Sequence, residues 1–98
     1  MKYIFIENYL HLKNEQKVSF FNYLKENKFK IIQEDIIFEE EAIMFRFENN
    51  IEKIEKSIKE YFEIKNIIDI NVDIVKKHTS KLNQIILTFI KTNKSILL

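Results

Sequence analysis

Residues 51–74, IEKIEKSIKEYFEIKNIIDINVDI, switch from one hydrophobic period to another within a single run. In the first half Ile51, Ile54, Ile58, Tyr61 and Phe62 fall at i, i+3, i+7, i+10 and i+11, which is one face of a helix. The opposite face carries Glu52 four residues before Lys56 and Glu55 four before Lys59, the favourable order for such ion pairs. Asn49 or Asn50 stands where a cap is needed, and Asn66 where a left-handed terminator is needed. In the second half Ile68, Ile70, Val72 and Ile74 alternate with Asp69, Asn71 and Asp73, a strand with one wet side. A helix that hands over directly to a half-wet strand belongs to a sheet covered by helices on one flank.

Upstream of this run, Ala42 to Phe47 places Ile43, Phe45 and Phe47 on one side of a strand. Phe29 to Phe38 is a second β-branched and aromatic segment, interrupted at Gln33-Glu34-Asp35 where a bulge fits. Glu39-Glu40-Glu41 separates the two, so they read as a hairpin, and without glycine its connection must be longer than a two-residue turn. Lys2 to Glu7 sets Tyr3 and Phe5 against Ile4 and Ile6, apolar on both faces as a central strand is. Between these strands Asn14 caps a helix over residues 14–27 whose face is Val18, Phe20, Phe21 and Leu24, with Asn27 at its left-handed end.

The order is thus β-α-β-β-α-β. Short connections and right-handed crossovers make it a ferredoxin-like α/β (α+β) fold, a four-stranded antiparallel sheet with two helices on one face. After the last strand Thr79 or Ser80 caps a C-terminal helix with Leu82, Ile85, Ile86 and Phe89 on its face, the alternative for residues 80–98 being an extra strand. The chain is read as a single domain over residues 1–98.

Composition narrows the chemistry. The 98 residues include no glycine, proline, cysteine or tryptophan. Glycine-rich phosphate loops, nucleophile elbows, disulfides and thiolate metal sites are therefore absent. Nineteen isoleucines, nine phenylalanines and ten asparagines beside one alanine match AT-rich coding, which explains much of the missing glycine. Sixteen basic against fifteen acidic residues leave a net charge of +1, no field with which to draw nucleic acid or a membrane. No apolar run is long enough for a membrane span and none near Met1 resembles a leader, so a cytoplasmic location is expected.

If Ile43, Phe45 and Phe47 face the helices, Met44 and Arg46 face away with Asp69, Asn71 and Asp73, joined from the first strand by Tyr3 and Phe5, which are taken for the face, or else by Ile4 and Ile6. These seven residues are the expected binding face. Its apolar centre demands a cover, supplied by the chain's own end, a second copy or a partner. Lys76, Lys77 and Lys81 form a basic patch at a strand-to-helix junction, able to meet a phosphate or simply solvated. The Asp69, Asn71 and Asp73 spacing is that of calcium ligands, but Ile74 and Ser80 stand where the loop needs glycine and glutamate. His11 and His78 have no metal-ligand spacing, and Ser19 and Ser57 have no adjacent base. No metal site and no cofactor are expected.

Ile4-Phe5-Ile6-Glu7-Asn8-Tyr9 resembles the strand-one signature of the RNA-recognition motif, a βαββαβ domain that stacks bases on its sheet. The resemblance implies Phe5 as a stacking ring. Strand three departs from that pattern. Glu40, Glu41, Ala42 and Met44 occupy the places of a basic residue, a glycine and two aromatics, which puts the implied base platform in doubt.

Together these features point to a small non-enzymatic protein-interaction module. Size and composition suit an inhibitor carried by a phage or mobile element, anti-CRISPR-like, that binds a host protein or ribonucleoprotein complex. The alternatives are an RNA-binding domain using the same sheet face and a structural homodimer.

Overall fold

The computed structural model describes residues 1–48 and 50–76. Four strands, β1 (Tyr3–Glu7), β2 (Ile31–Ile37), β3 (Ala42–Phe47) and β4 (Asn71–Val75), alternate with helices α1 (Asn14–Glu26) and α2 (Ile51–Ile64) in the expected order. The sheet runs β2-β3-β1-β4 with every pairing antiparallel, which is the ferredoxin-like arrangement. The strands apolar on both faces, β1 and β3, lie at its centre. The C-terminal segment over residues 80–98 and the possible cap Asn49 lie outside the described residues.

Register places Ile4 opposite Phe45, Phe5 opposite Met44 and Ile6 opposite Ile43. Ile4, Ile6, Ile43, Phe45, Phe47 and Val72 thereby share one face, and they form a single buried cluster with Phe20 and Leu24 of α1 and Ile54, Ile58, Tyr61 and Phe62 of α2. Both helices therefore cover the same side. Phe20 is the hub, fully buried, with ring centroids 5.0 Å from Phe62, 5.6 Å from Tyr61 and 6.2 Å from Phe45. Val18, expected on the buried face of α1, is instead 60% exposed, because one helical turn past Asn14 the stripe that meets the sheet runs through Phe20 and Leu24. Across the helix pair Tyr61 donates to Ser19 Oγ at 3.0 Å, while the Tyr23 hydroxyl donates to the Ser57 carbonyl at 3.2 Å and also meets the Ser57 hydroxyl. The two serines thus seat tyrosines, an economical way to satisfy half-buried phenols.

A chain without glycine must place other residues in the left-handed region. Asn8, Lys28, Glu41, Asn50, Asn66 and Asp69 all have positive φ between 50° and 68°. Both helices end the same way. Phe29 N–H bonds to the Leu24 carbonyl and Lys28 N–H to that of Lys25, and Ile67 and Asn66 repeat the pattern on Phe62 and Glu63. This double bond is the motif that closes a helix through one left-handed residue. In α2 that residue is Asn66, as expected. In α1 it is Lys28 at φ 57°, and Asn27 stays at φ −87° with its side chain donating to the Tyr23 carbonyl. At the other end of α1 Lys13, not Asn14, is the cap residue, its N–H held by Gln16 Oε1 at 2.8 Å. Asn50 takes the cap position of α2 but its side chain makes no cap bond. Of the expected pairs, Lys59 meets Glu55 at 3.6 Å, whereas Glu52 turns to Lys2 at 2.6 Å.

A lysine held left-handed carries backbone strain that glycine does not. Lys28→Gly is expected to raise stability by about 1 kcal/mol, offset in part by the freer unfolded chain. A urea midpoint that falls on this substitution would contradict the assignment of strain to Lys28.

Strand β4 begins later than expected. Asn66 and Asp69 are both left-handed, so the backbone is still turning at Ile68, which is 80% exposed, and extended pairing starts only at Asn71. It then runs one residue further, to Val75 opposite Tyr3. The hairpin connection is Phe38 to Glu41, a short helical turn closed by the Glu41 N–H on the Phe38 carbonyl, as the missing glycine required. The irregularity in β2 lies between Ile31 and Gln33.

Candidate functional site

The sheet face away from the helices gathers six of the seven residues that alternation assigned to it. Tyr3, Phe5, Ala42, Met44 and Val75 form a second buried cluster, with Ile37 packed against it. Asn71 pairs with Glu7, Asp73 with Phe5 and Arg46 with Gln33, so these three side chains share that face with Phe5 and Met44. Phe5 and Met44, however, are 0% and 1% exposed. The expected contact surface is withdrawn from solvent at its centre, and Tyr3 is buried with it. Base stacking needs an exposed ring face, and Phe5 is fully buried. Arg46 is half-buried, with Nη1 3.1 Å from Met1 Sδ. Asp69 does not belong to this face. It sits left-handed in the loop before β4, where its carbonyl accepts from Asn8 Nδ2 at 2.9 Å. That bond ties the β1–α1 and α2–β4 loops together.

Of the basic patch, Lys76 is exposed at the end of β4, and Lys77 and Lys81 lie outside the described residues. His11 pairs with Glu41, both exposed, and His78 lies outside the described residues. Among the described residues no cluster of three histidine or carboxylate side chains is placed to hold a metal ion. No helix among them is long and apolar enough to cross a membrane.

The surface that presents itself is the outer edge of the sheet. β2 is an outermost strand, and no further strand lies beside it among the described residues. Half-buried and exposed positions alternate along it, with Ile32, Glu34 and Ile36 exposed and Ile31 and Ile37 packed against the two clusters. Ile36 lies opposite Ile43 and Glu34 opposite Phe45, so both sit on the helix side. Apolar side chains of this strand stay open, Ile32 at 48% and Ile36 at 39% exposed. The turn that follows carries Phe38, exposed to 76%. Three of the seven large apolar side chains left exposed among the described residues thus fall within residues 32–38. A spread that tight differs from the scattered exposed hydrophobics of an ordinary surface.

Charge is concentrated in the same place. Glu34, Asp35, Glu39, Glu40 and Glu41 follow within eight residues, and from Ile31 to Phe45 there is no lysine or arginine. In a chain whose total charge is +1 this is a local anionic field. Its effect reaches the core. The Tyr9 hydroxyl is pushed up to about 12, first by burial and then by the Glu34 carboxylate. Because the folded value lies above the ordinary 10.0, protonated Tyr9 supports the fold fully below about pH 10. That support is lost as the pH rises through about 12. Tyr9→Phe is expected to flatten the alkaline fall of the melting temperature between these values, and an unchanged alkaline profile would contradict it.

The sequence contained the signal for this edge in the acidic run beside β-branched residues. Alternation alone did not reveal it, because exposure at an edge depends on where the helices land. No family model matches the chain, and no curated protein or solved structure matches it.

Proposed function

We propose that this chain is a small protein-binding module, not an enzyme, and that it grips its partner along the β2 edge and the Phe38 turn. The observation that carries the reading is the exposure of Ile32 and Ile36 on an edge strand and of Phe38 in the turn that follows it. An aromatic anchor flanked by aliphatic contacts inside a polar rim is the composition of a binding hot spot. Acting as an inhibitor of a host protein or ribonucleoprotein is one form such a module takes, and size and composition are what recommend it.

The test is capture by the immobilised full chain from a lysate of the cells that carry it, compared among four proteins. These are the unsubstituted chain, Phe38→Ser, Ile36→Ser and the control Val18→Ser, which removes an exposed aliphatic group from α1. A protein retained by the first and last but lost from the two edge variants supports the reading. Equal retention by all four contradicts it.

A further inference from the structure

We infer that the β2 edge receives an extended, lysine- or arginine-bearing segment of the partner as a fifth strand of the sheet. The inference rests on the binding-module reading above and names its mode. An outermost strand offers main-chain donors and acceptors along one side, and an extended peptide satisfies them by adding to the sheet. β2 is seven residues long, enough for such pairing.

The side chains choose the occupant. A strand laid beside β2 puts its residues opposite Glu34 and Ile36 on the helix side, which calls for a cation next to an aliphatic group. Beyond the strand, Glu39 extends the anionic stretch past Phe38, while Glu41 is paired with His11. A second copy of this chain is a poor fit. Two β2 strands paired antiparallel about their midpoint set Glu34 against Glu34, and like charges directly opposite destabilise a sheet. Nucleic acid is repelled by the same carboxylates. A basic extended segment satisfies backbone, apolar and charged groups at once.

The experiment uses the full chain, isotope-labelled, and two blocked seven-residue peptides that carry serine on one face of the strand and, on the other, alternate valine with lysine in one peptide and valine with glutamate in the second. Amide hydrogen exchange is read residue by residue. The lysine peptide is expected to slow exchange at outward amides of residues 31–37 and to leave β4 unchanged. Its binding should weaken steeply with added salt. The glutamate peptide is expected to protect nothing. Glu34→Lys should weaken the lysine peptide about tenfold, a shift of about 1.4 kcal/mol, as attraction turns into repulsion across the strand pair. A lysine peptide that leaves the β2 amides unprotected, or two peptides that bind alike, would overturn the inference. Protection of β2 that grows with protein concentration in the absence of peptide would assign the edge to a second copy and overturn it as well. Failure here combined with partner loss in Phe38→Ser removes the strand-addition mode alone. Indifference of partner capture to Phe38→Ser removes the module itself.

Discussion

Phe20→Ala is expected to cost about 3–5 kcal/mol of folding free energy, the range for emptying a large aromatic site in a core. Phe20 is fully buried and touches rings from the sheet and from α2, so no single neighbour can relax into the space it leaves. The side chain joins both helices to the sheet within the main buried cluster, in a domain whose size leaves only about two-thirds of its unfolded surface buried. Against a total stability of about 5–15 kcal/mol the loss is a large fraction. In urea the unfolding midpoint should fall sharply while the slope stays constant, because the same surface is exposed on unfolding. Leu24→Ala, in the same buried cluster on α1, should follow with about 2–5 kcal/mol. A loss below about 1 kcal/mol for Phe20→Ala would mean that the helix layer does not rest on this ring.

Phe38→Ser should show the reverse pattern. The ring is 76% exposed, so its removal is expected to change stability by no more than about 0.5 kcal/mol. Partner affinity should fall at least about thirtyfold, the loss that corresponds to a hot-spot truncation of about 2 kcal/mol. The contrast between the two phenylalanines is the useful part. One acts through the fold with no surface, and the other acts through the surface with no fold. Dissociation should quicken more than association slows, because the ring contributes desolvated contact and not long-range steering. A variant that binds as well as the parent would take the anchor away from this turn.

Much of the architecture was legible in residue order. The two-sided apolar content of Tyr3–Phe5–Ile6 and of Ile43–Met44–Phe45 placed β1 and β3 at the centre, where the register puts them. The helical stripe from Ile54 to Phe62 named the buried face of α2 correctly. What was not legible follows from turns and from cover. Ile68 carries the alternation of a strand, yet the left-handed residues at Asn66 and Asp69 keep the backbone turning around it. Sequence period reports side-chain character and is silent on such dihedral choices in a chain without glycine. Lys28 at the end of α1 is the same case, since nothing in a lysine announces positive φ. For the site, alternation left either Tyr3 and Phe5 or Ile4 and Ile6 beside Met44, and the register puts Tyr3 and Phe5 there. Alternation could not tell that this face is shielded, because cover is a property of the packed chain. Conversely Ile36 and Phe38 read as ordinary strand residues, and their exposure is a property of the packed chain that residue order does not report.

The central claim is that recognition occurs at the outermost strand and not on the helix layer or the buried sheet face. Amide exchange of the full chain, alone and saturated with its captured partner, tests this most directly. New protection confined to residues 31–41, with the amides of α1 and α2 unchanged, is the predicted result. Protection that appears on the helices or on β4 while residues 31–41 exchange as before would contradict it.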